Sequence, residues 1–262
     1  LIVVDNGSAG GPEGLAPALA PARAAWPGLR LVLEPAPGAA AARNRGVAET
    51  GAPLLLFLDA DCRPTPDWLE RALAAAEEEA GAGILAGRVT LFDETPPPRT
   101  GAQAFETVFA FDVARYVRAG YGVTANLVVR RAVLEAVGGF RTGVAEDVDL
   151  CRRAVAAGVR LAYAPGIVVA HPTRPDWPAL RAKWLRLTRE GWALRPRGAV
   201  GRLRWAGRGL ALVPAIAAHA PRVLAHPALD AAGKARALAV LARLRLLRCR
   251  WMLAQARGHD IT

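Results

Sequence analysis

Cysteine is scarce in this chain, and lysine is scarcer still. The three cysteines, Cys62, Cys151 and Cys249, are odd in number and widely separated. They match neither a metal-binding spacing nor a disulfide framework, which points to a reducing cytoplasm. No stretch holds the roughly 18 uninterrupted apolar residues that a membrane span requires. The nearest, Gly209 to Ala218, is short and leads into His219 and Arg222. No spanning helix, signal peptide or internal repeat is therefore expected. Lysine occurs only at Lys183 and Lys234, so the 34 basic residues are almost all arginine.

What the chain does have is apolar bulk: 53% of its 262 residues are hydrophobic, with Ala, Leu and Val dominant. That suffices for one sizeable domain, or a domain with an appendage. Charge is distributed unevenly. Residues 171–262 carry 18 Lys+Arg against 4 Asp+Glu, whereas residues 1–170 are slightly acidic at −3, within a total of +11. A pI near 10.9 invites a nucleic-acid reading. No recognised binding motif accompanies the charge, and no specific nucleic-acid partner is expected.

Apolar runs at Leu1–Val4, Leu29–Leu33, Leu54–Leu58 and Ile84–Leu91 read as strands, with Ala-rich helical segments between them. Asp67–Ala80 reads as a helix after Pro64-Thr65-Pro66, ending at Gly81. The proline-rich 92–99 segment is a loop, and residues 103–118 look helical. A strand near Val123–Val129, a helix Arg131–Val137 stopped by Gly138-Gly139, a helix Glu146–Gly158 and short strands to Ala170 follow. Beyond His171 the chain turns to arginine-rich helices broken by prolines.

The most informative stretch is Leu58-Asp59-Ala60-Asp61, two carboxylates at the end of an apolar strand. Ligands of open α/β sheets bind at the carboxyl ends of strands, and carboxylates there can hold a hard divalent cation, which in turn can hold a diphosphate. A strand-end pair capping the turn before Pro64 is the plainer alternative. Around it stand an opening strand that ends in Asp5-Asn6-Gly7-Ser8, then Gly38 with Ala42-Arg43-Asn44-Arg45-Gly46. Later come Gly138-Gly139-Phe140, Glu146-Asp147-Val148-Asp149-Leu150, and His171 after Ile167-Val168-Val169.

This ordered set resembles glycosyltransferase family 2, inverting enzymes of GT-A fold, over about residues 1–175. The resemblance implies an α/β fold: a Rossmann-like, mostly parallel sheet flanked by helices. A basic helical extension at 176–262 would follow. It implies transfer of a sugar from a nucleotide-diphosphate donor to a hydroxyl acceptor, lipid-linked acceptors included, in envelope polysaccharide, glycolipid or related synthesis. Asp61 and His171 would hold a divalent cation, Mn²⁺ or Mg²⁺, with imidazole favouring Mn²⁺. Asp5, Gly38, Arg43 and Asp59 would bind the nucleotide-sugar. Asp147 would take the acceptor proton, with Glu146 orienting the acceptor and Asn126 either facing it or serving as a buried structural amide. Acids in a first helical turn also complement the helix dipole.

The chain departs from the family pattern in two places. Members normally begin with one more strand and helix than the segment starting at Leu1, so those elements are expected to be lacking. The Gln-x-x-Arg-Trp signature of processive members is only approached by Arg181-Ala182-Lys183-Trp184, so single-sugar transfer is expected. Arg236, Arg243, Arg245, Arg248 and Arg250 interleave with leucines as in a basic amphipathic helix. That pattern suits either an anionic membrane surface, with peripheral attachment at the inner face, or packing with a solvated basic face. Nucleotidyl transfer on the same fold, and an inactive relative serving as a scaffold, are the competing functional readings.

Overall fold

A computed structural model describes residues 1–262. In chain order the elements are β1 (Ile2–Asp5), α1 (Gly11–Ala25), β2 (Arg30–Leu33), α2 (Ala39–Ala48), β3 (Leu54–Leu58) and β4 (Arg63–Pro64). Next come α3 (Trp68–Glu78), β5 (Ile84–Phe92), α4 (Gly101–Phe109), α5 (Val113–Arg118), β6 (Asn126–Arg130), α6 (Arg131–Val137) and α7 (Glu146–Ala156). The chain ends with β7 (Leu161–Pro172), α8 (Trp177–Ala193), α9 (Gly198–Ala211), α10 (Ala215–Leu224) and α11 (Ala231–Ala256). These elements form two compact units, one of Leu1–Asp59, Leu69–Gly87 and Tyr116–Ile167, the other of Ala60–Trp68, Arg88–Arg115 and Val168–Thr262.

In the first unit β1 and β2 pair in parallel, Ile2 opposite Arg30. β6 runs antiparallel to β3, Leu54 opposite Arg130, and antiparallel to the start of β5, Ile84 opposite Val129. The strand order there is β3-β6-β5-β7. Ile84, Leu85, Leu127, Val128, Val129 and Ile167 are almost wholly buried, as are Ala72 of α3 and Leu150 and Ala154 of α7. Such strands read as unbroken apolar runs because both faces are covered. The α/β class is as expected, but the sheet is mixed rather than mostly parallel. An apolar run reports burial on two faces and says nothing of strand direction, which β6 reverses by lying between β3 and β5.

Gly87 permits a close approach in this sheet. A Cβ there would collide with the Asn126 amide and lie 2.7 Å from the Ile167 carbonyl oxygen. Asn126 is fully buried and donates from Nδ2 to that carbonyl at 2.9 Å. Its amide satisfies a buried acceptor that would otherwise be desolvated without a partner.

In the second unit β4 pairs antiparallel with the end of β7, Arg63 opposite Ala170, and Thr90 donates from Oγ1 to the Val169 carbonyl at 3.0 Å. The rest is helical. α4 begins in a capping box: Gln103 N donates to Thr100 Oγ1, and Thr100 N to Gln103 Oε1. Asp176 and Asp230 cap α8 and α11 by accepting from Ala179 N and Gly233 N. The expected helix over 103–118 is two helices, because Asp112 accepts from Arg115 N and restarts the chain as α5.

α11 is the central helix of this unit, packed on α4, α8, α9 and α10. Its stripe Ala237, Leu241, Leu244, Trp251 and Met252 is buried, and the first three share one core with Phe105 and Leu180. Each fully buried leucine contributes ~2 kcal/mol. The apolar side of α11 is thus taken up by neighbouring helices, which accounts for the amphipathic pattern by packing. Two of its arginines lie on aromatic rings: Arg243 sits 4.0 Å over Trp177, and Arg248 4.2 Å over Trp184. No helix is long and apolar enough to cross a membrane.

Candidate active site

The first unit gathers four of the candidate residues around α2 and the start of α7. Arg43, on α2, donates from Nη2 to Asp59 Oδ1 at 2.8 Å and from Nη1 to Glu146 Oε1 at 2.5 Å. Burial alone would lower the guanidinium; the two carboxylates outweigh it and raise it. Asp147 is the neighbour of Glu146 and accepts from Val148 N at 2.7 Å. Burial, reinforced by the Glu146 charge, pushes its carboxyl up to about 6, against the opposing pull of Arg43. A carboxylate tuned into that range is matched to general-base work near neutral pH.

The Gly138-Gly139-Phe140 turn braces this cluster. Asn44 of α2 donates to the Phe140 carbonyl at 2.8 Å and accepts from Phe140 N at 2.9 Å. Gly139 has φ 67°, and a side chain there would also press on Asn44 Oδ1 at 3.0 Å. The Phe140 ring then meets Phe57 edge-on at 5.1 Å and lies 5.9 Å from the Arg43 guanidinium. Asp149 pairs with Arg153 at 2.7 Å, and the Arg153 guanidinium donates to the Gly139 carbonyl at 2.6 Å. Asn44 and Arg153 are not among the candidates that the sequence suggests. Asn44's place beside Arg43 in the Ala42–Gly46 motif is the only signal that could have marked it.

Asp5 and Gly38 form a second local set. Asp5 is buried, and a hydrogen bond from Ser8 N at 2.9 Å holds its carboxyl below its ordinary value. Its Oδ2 is buried with no partner. Asn6 organises the approach to α2, donating to the Glu34 and Ala36 carbonyls, both at 2.7 Å, and accepting from Gly38 N at 2.8 Å. Gly38, with φ 115°, precedes the first turn of α2 and has open space where a Cβ would stand. Free N–H groups at such a helix start favour anions.

The second unit gathers the metal candidates. His171 Nε2 lies 3.7 Å from Asp61 Oδ2, and with Cys62 the three donor atoms all fall within 4.8 Å of one another. His171 is buried, its ring 5.0 Å from Phe111, while Asp61 is half exposed. Nδ1 of His171 lies 2.7 Å from the Pro172 carbonyl oxygen. A carbonyl only accepts, so Nδ1 carries the proton and Nε2 keeps its lone pair toward Asp61. Burial lowers the imidazole below its ordinary value despite the Asp61 charge. It is therefore neutral at pH 7, as a metal ligand must be. An imidazole and a carboxylate, with a thiol nearby, form a donor set that a divalent transition-metal ion such as Mn²⁺ can use.

Behind this pair lies a support with no signature in the sequence. Glu106 of α4 is buried; it accepts from Lys183 Nζ at 2.5 Å and from Arg174 N at 2.6 Å. Arg174 extends Nη1 to 3.7 Å from Asp61 Oδ2, and Lys183 lies 5.4 Å from the Phe111 ring centre. Cys62 contributes a thiol to the same group, although the three cysteines match no metal-binding spacing in the sequence.

Comparison with known proteins decides the family. The family model described as glycosyl transferase family 2 matches residues 1–138, more than half of the chain. The chain belongs to glycosyl transferase family 2. Among curated relatives, glycosyltransferase AglE of Haloferax volcanii is 31% identical over 188 residues, which is 70% of this chain and 60% of that protein. The pre-mycofactocin glycosyltransferase of Mycobacterium tuberculosis is 34% identical over 155 residues, 55% of this chain and 33% of its own length. The chain thus spans between a third and three-fifths of these relatives. Among solved structures, the mannosyltransferase PcManGT from Pyrobaculum calidifontis, in complex with GDP-Man and Mn²⁺, aligns over 100% of this chain and 66% of that one. The TM-score is 0.54 at 18% identity, which establishes the GT-A fold.

Proposed function

We propose that the chain is a metal-dependent, inverting glycosyltransferase that moves one sugar from a nucleotide-diphosphate sugar to a hydroxyl acceptor. The observation that carries this reading is the half-buried Asp147 carboxyl at the start of α7, next to the Glu146 that Arg43 bonds, and pushed up to about 6. In the proposed reaction the acceptor oxygen gives its proton to Asp147 and forms the new bond to the anomeric carbon. The old bond from that carbon to the diphosphate breaks, and its electron pair leaves with the diphosphate. Attack on the face opposite the leaving group inverts the anomeric centre. Glu146 orients the acceptor hydroxyl, and Arg43 fixes Glu146 and Asp59 in place. Asn126 steadies the sheet behind them. Asp5, Gly38, Arg43 and Asp59 serve the nucleotide-sugar.

Asp61 and His171 would hold the cation, whose charge offsets the negative charge developing on the leaving diphosphate. The fixed Nδ1–H tautomer of His171 supports that assignment, as does the Mn²⁺ complex of the structurally similar mannosyltransferase. Glycoconjugate or envelope-polysaccharide synthesis is the proposed setting, with the GT-A portion at residues 1–175 and the helices of 176–262 as its extension.

The test is a panel of UDP-, GDP- and dTDP-sugars with and without Mn²⁺, read by thermal shift and by NMR of the product's anomeric configuration. One donor should stabilise the protein only with metal, and Asp61→Ala should abolish the effect. A product of retained configuration would refute the inverting assignment. Metal-independent turnover would refute the cation's role.

A further inference from the structure

Three arginines, Arg245, Arg222 and Arg115, gather around His219 beside the end of α4. Arg245 of α11 points Nη2 at Nδ1 of His219 on α10, 3.1 Å away. A guanidinium only donates, so His219 accepts there as the neutral ring. The Arg222 guanidinium lies 5.2 Å over Phe109, whose ring centre is 6.0 Å from that of His219. Burial, then Arg245, Arg222 and Arg115, hold the imidazole below its ordinary value. One turn further along α11, burial and Arg245 bring Arg248 down to about 10.

No carboxylate forms an ion pair with Arg115, Arg222, Arg245 or Arg248. The nearest acid in sequence, Asp112, accepts from the Arg115 backbone and caps α5. The Nε atoms of Arg245 and Arg248 are buried without a partner. Elsewhere in the same unit a buried cation is matched: Lys183 has Glu106 at 2.5 Å. Grouped arginines without an acid carry a repulsion and desolvation cost that an anion relieves. The planar fork of arginine fits phosphate oxygens in pairs.

We propose that Arg222, Arg245 and His219, backed by Arg115 and Arg248, form a binding site for a phosphate group. The phosphate is either free or carried on a lipid headgroup, and the same oxygens meet the same donors in both cases.

The 262-residue chain tests this at matched ionic strength, with chloride as the control anion. Orthophosphate is titrated against thermal denaturation and the His219 ring resonance in NMR. Vesicles of phosphatidylcholine, with and without phosphatidic acid, are co-sedimented with the protein in parallel. Arg245→Met keeps most of the buried stem, and Arg222→Ala changes an exposed side chain, so the second variant serves if the first fails to fold. Saturable stabilisation by orthophosphate, with His219 becoming easier to protonate, assigns the site to free phosphate. Sedimentation only with phosphatidic acid assigns it to lipid-borne phosphate. Either result supports the site if the variants weaken it by about tenfold or more. Binding of neither probe, or binding unchanged in the variants, overturns it.

Discussion

Arg43 reaches across 103 positions of sequence to bond Glu146, Nη1 to Oε1 at 2.5 Å, while its other arm holds Asp59. That bridge also bears on Asp147, whose carboxyl Arg43 draws downward. Arg43→Gln should therefore let Asp147 rise above about 6. If Asp147 is the base, the acid limb of the transfer rate moves to higher pH, with a lower rate at pH 7. A pH–rate profile whose limb stays in place would separate Arg43 from the proton transfer.

Asp147→Asn should trade activity for stability. A carboxyl raised from 3.8 to about 6 on folding stabilises the protein fully below pH 3.8 and loses that contribution as pH rises through about 6. At pH 7 the charged group is a net cost of ~2 kcal/mol, after allowance for its partial exposure. The amide removes that cost, so the melting temperature at pH 7 should rise while transfer falls by orders of magnitude. A destabilised variant would mean that the Val148 hydrogen bond outweighs burial.

His171→Ala and Asp61→Asn should each weaken Mn²⁺ binding by at least about tenfold, measured by the free-ion signal in electron paramagnetic resonance. Cys62→Ser should matter less if the thiol only borders the site. Equal affinity in all four proteins would remove the cation from these residues.

Lys183→Met strands the Glu106 carboxylate in the interior and should cost ~3 kcal/mol in chemical denaturation. Adding Glu106→Gln should recover part of that loss, because the amide can still accept from Arg174 N. No recovery in the double variant would locate the effect in the packing of the lysine stem.

Gly87→Ala drives a methyl group into the Asn126 amide and should cost ~2 kcal/mol or more. Asn126→Ala in the same background should bring little further loss, since the bond to Ile167 is already broken. Strict additivity of the two losses would contradict that coupling.

Much of this is legible in the sequence where a residue's role is local. The runs at Leu54–Leu58 and Ile84–Leu91 are strands, Glu146 does open a helix, and His171 does sit at a strand end. Glu146–Asp147 can be picked out because family motifs keep their order along the chain. Glu106 cannot: a single acid on an apolar helix has no periodicity or spacing to betray it, and its partners, Lys183 and Arg174, lie 77 and 68 residues away. α11 is ambiguous for a related reason. Leucines alternating with arginines look the same whether a lipid surface or four helices cover them, and only the tertiary fold distinguishes the two.

The arginines laid over Trp177, Trp184 and Trp251 have one more consequence. Exchanging any of them for lysine leaves the net charge at +11 but removes a flat, weakly hydrated surface from a stack. In this helical unit a substitution that is silent in electrophoresis would act as a change of shape.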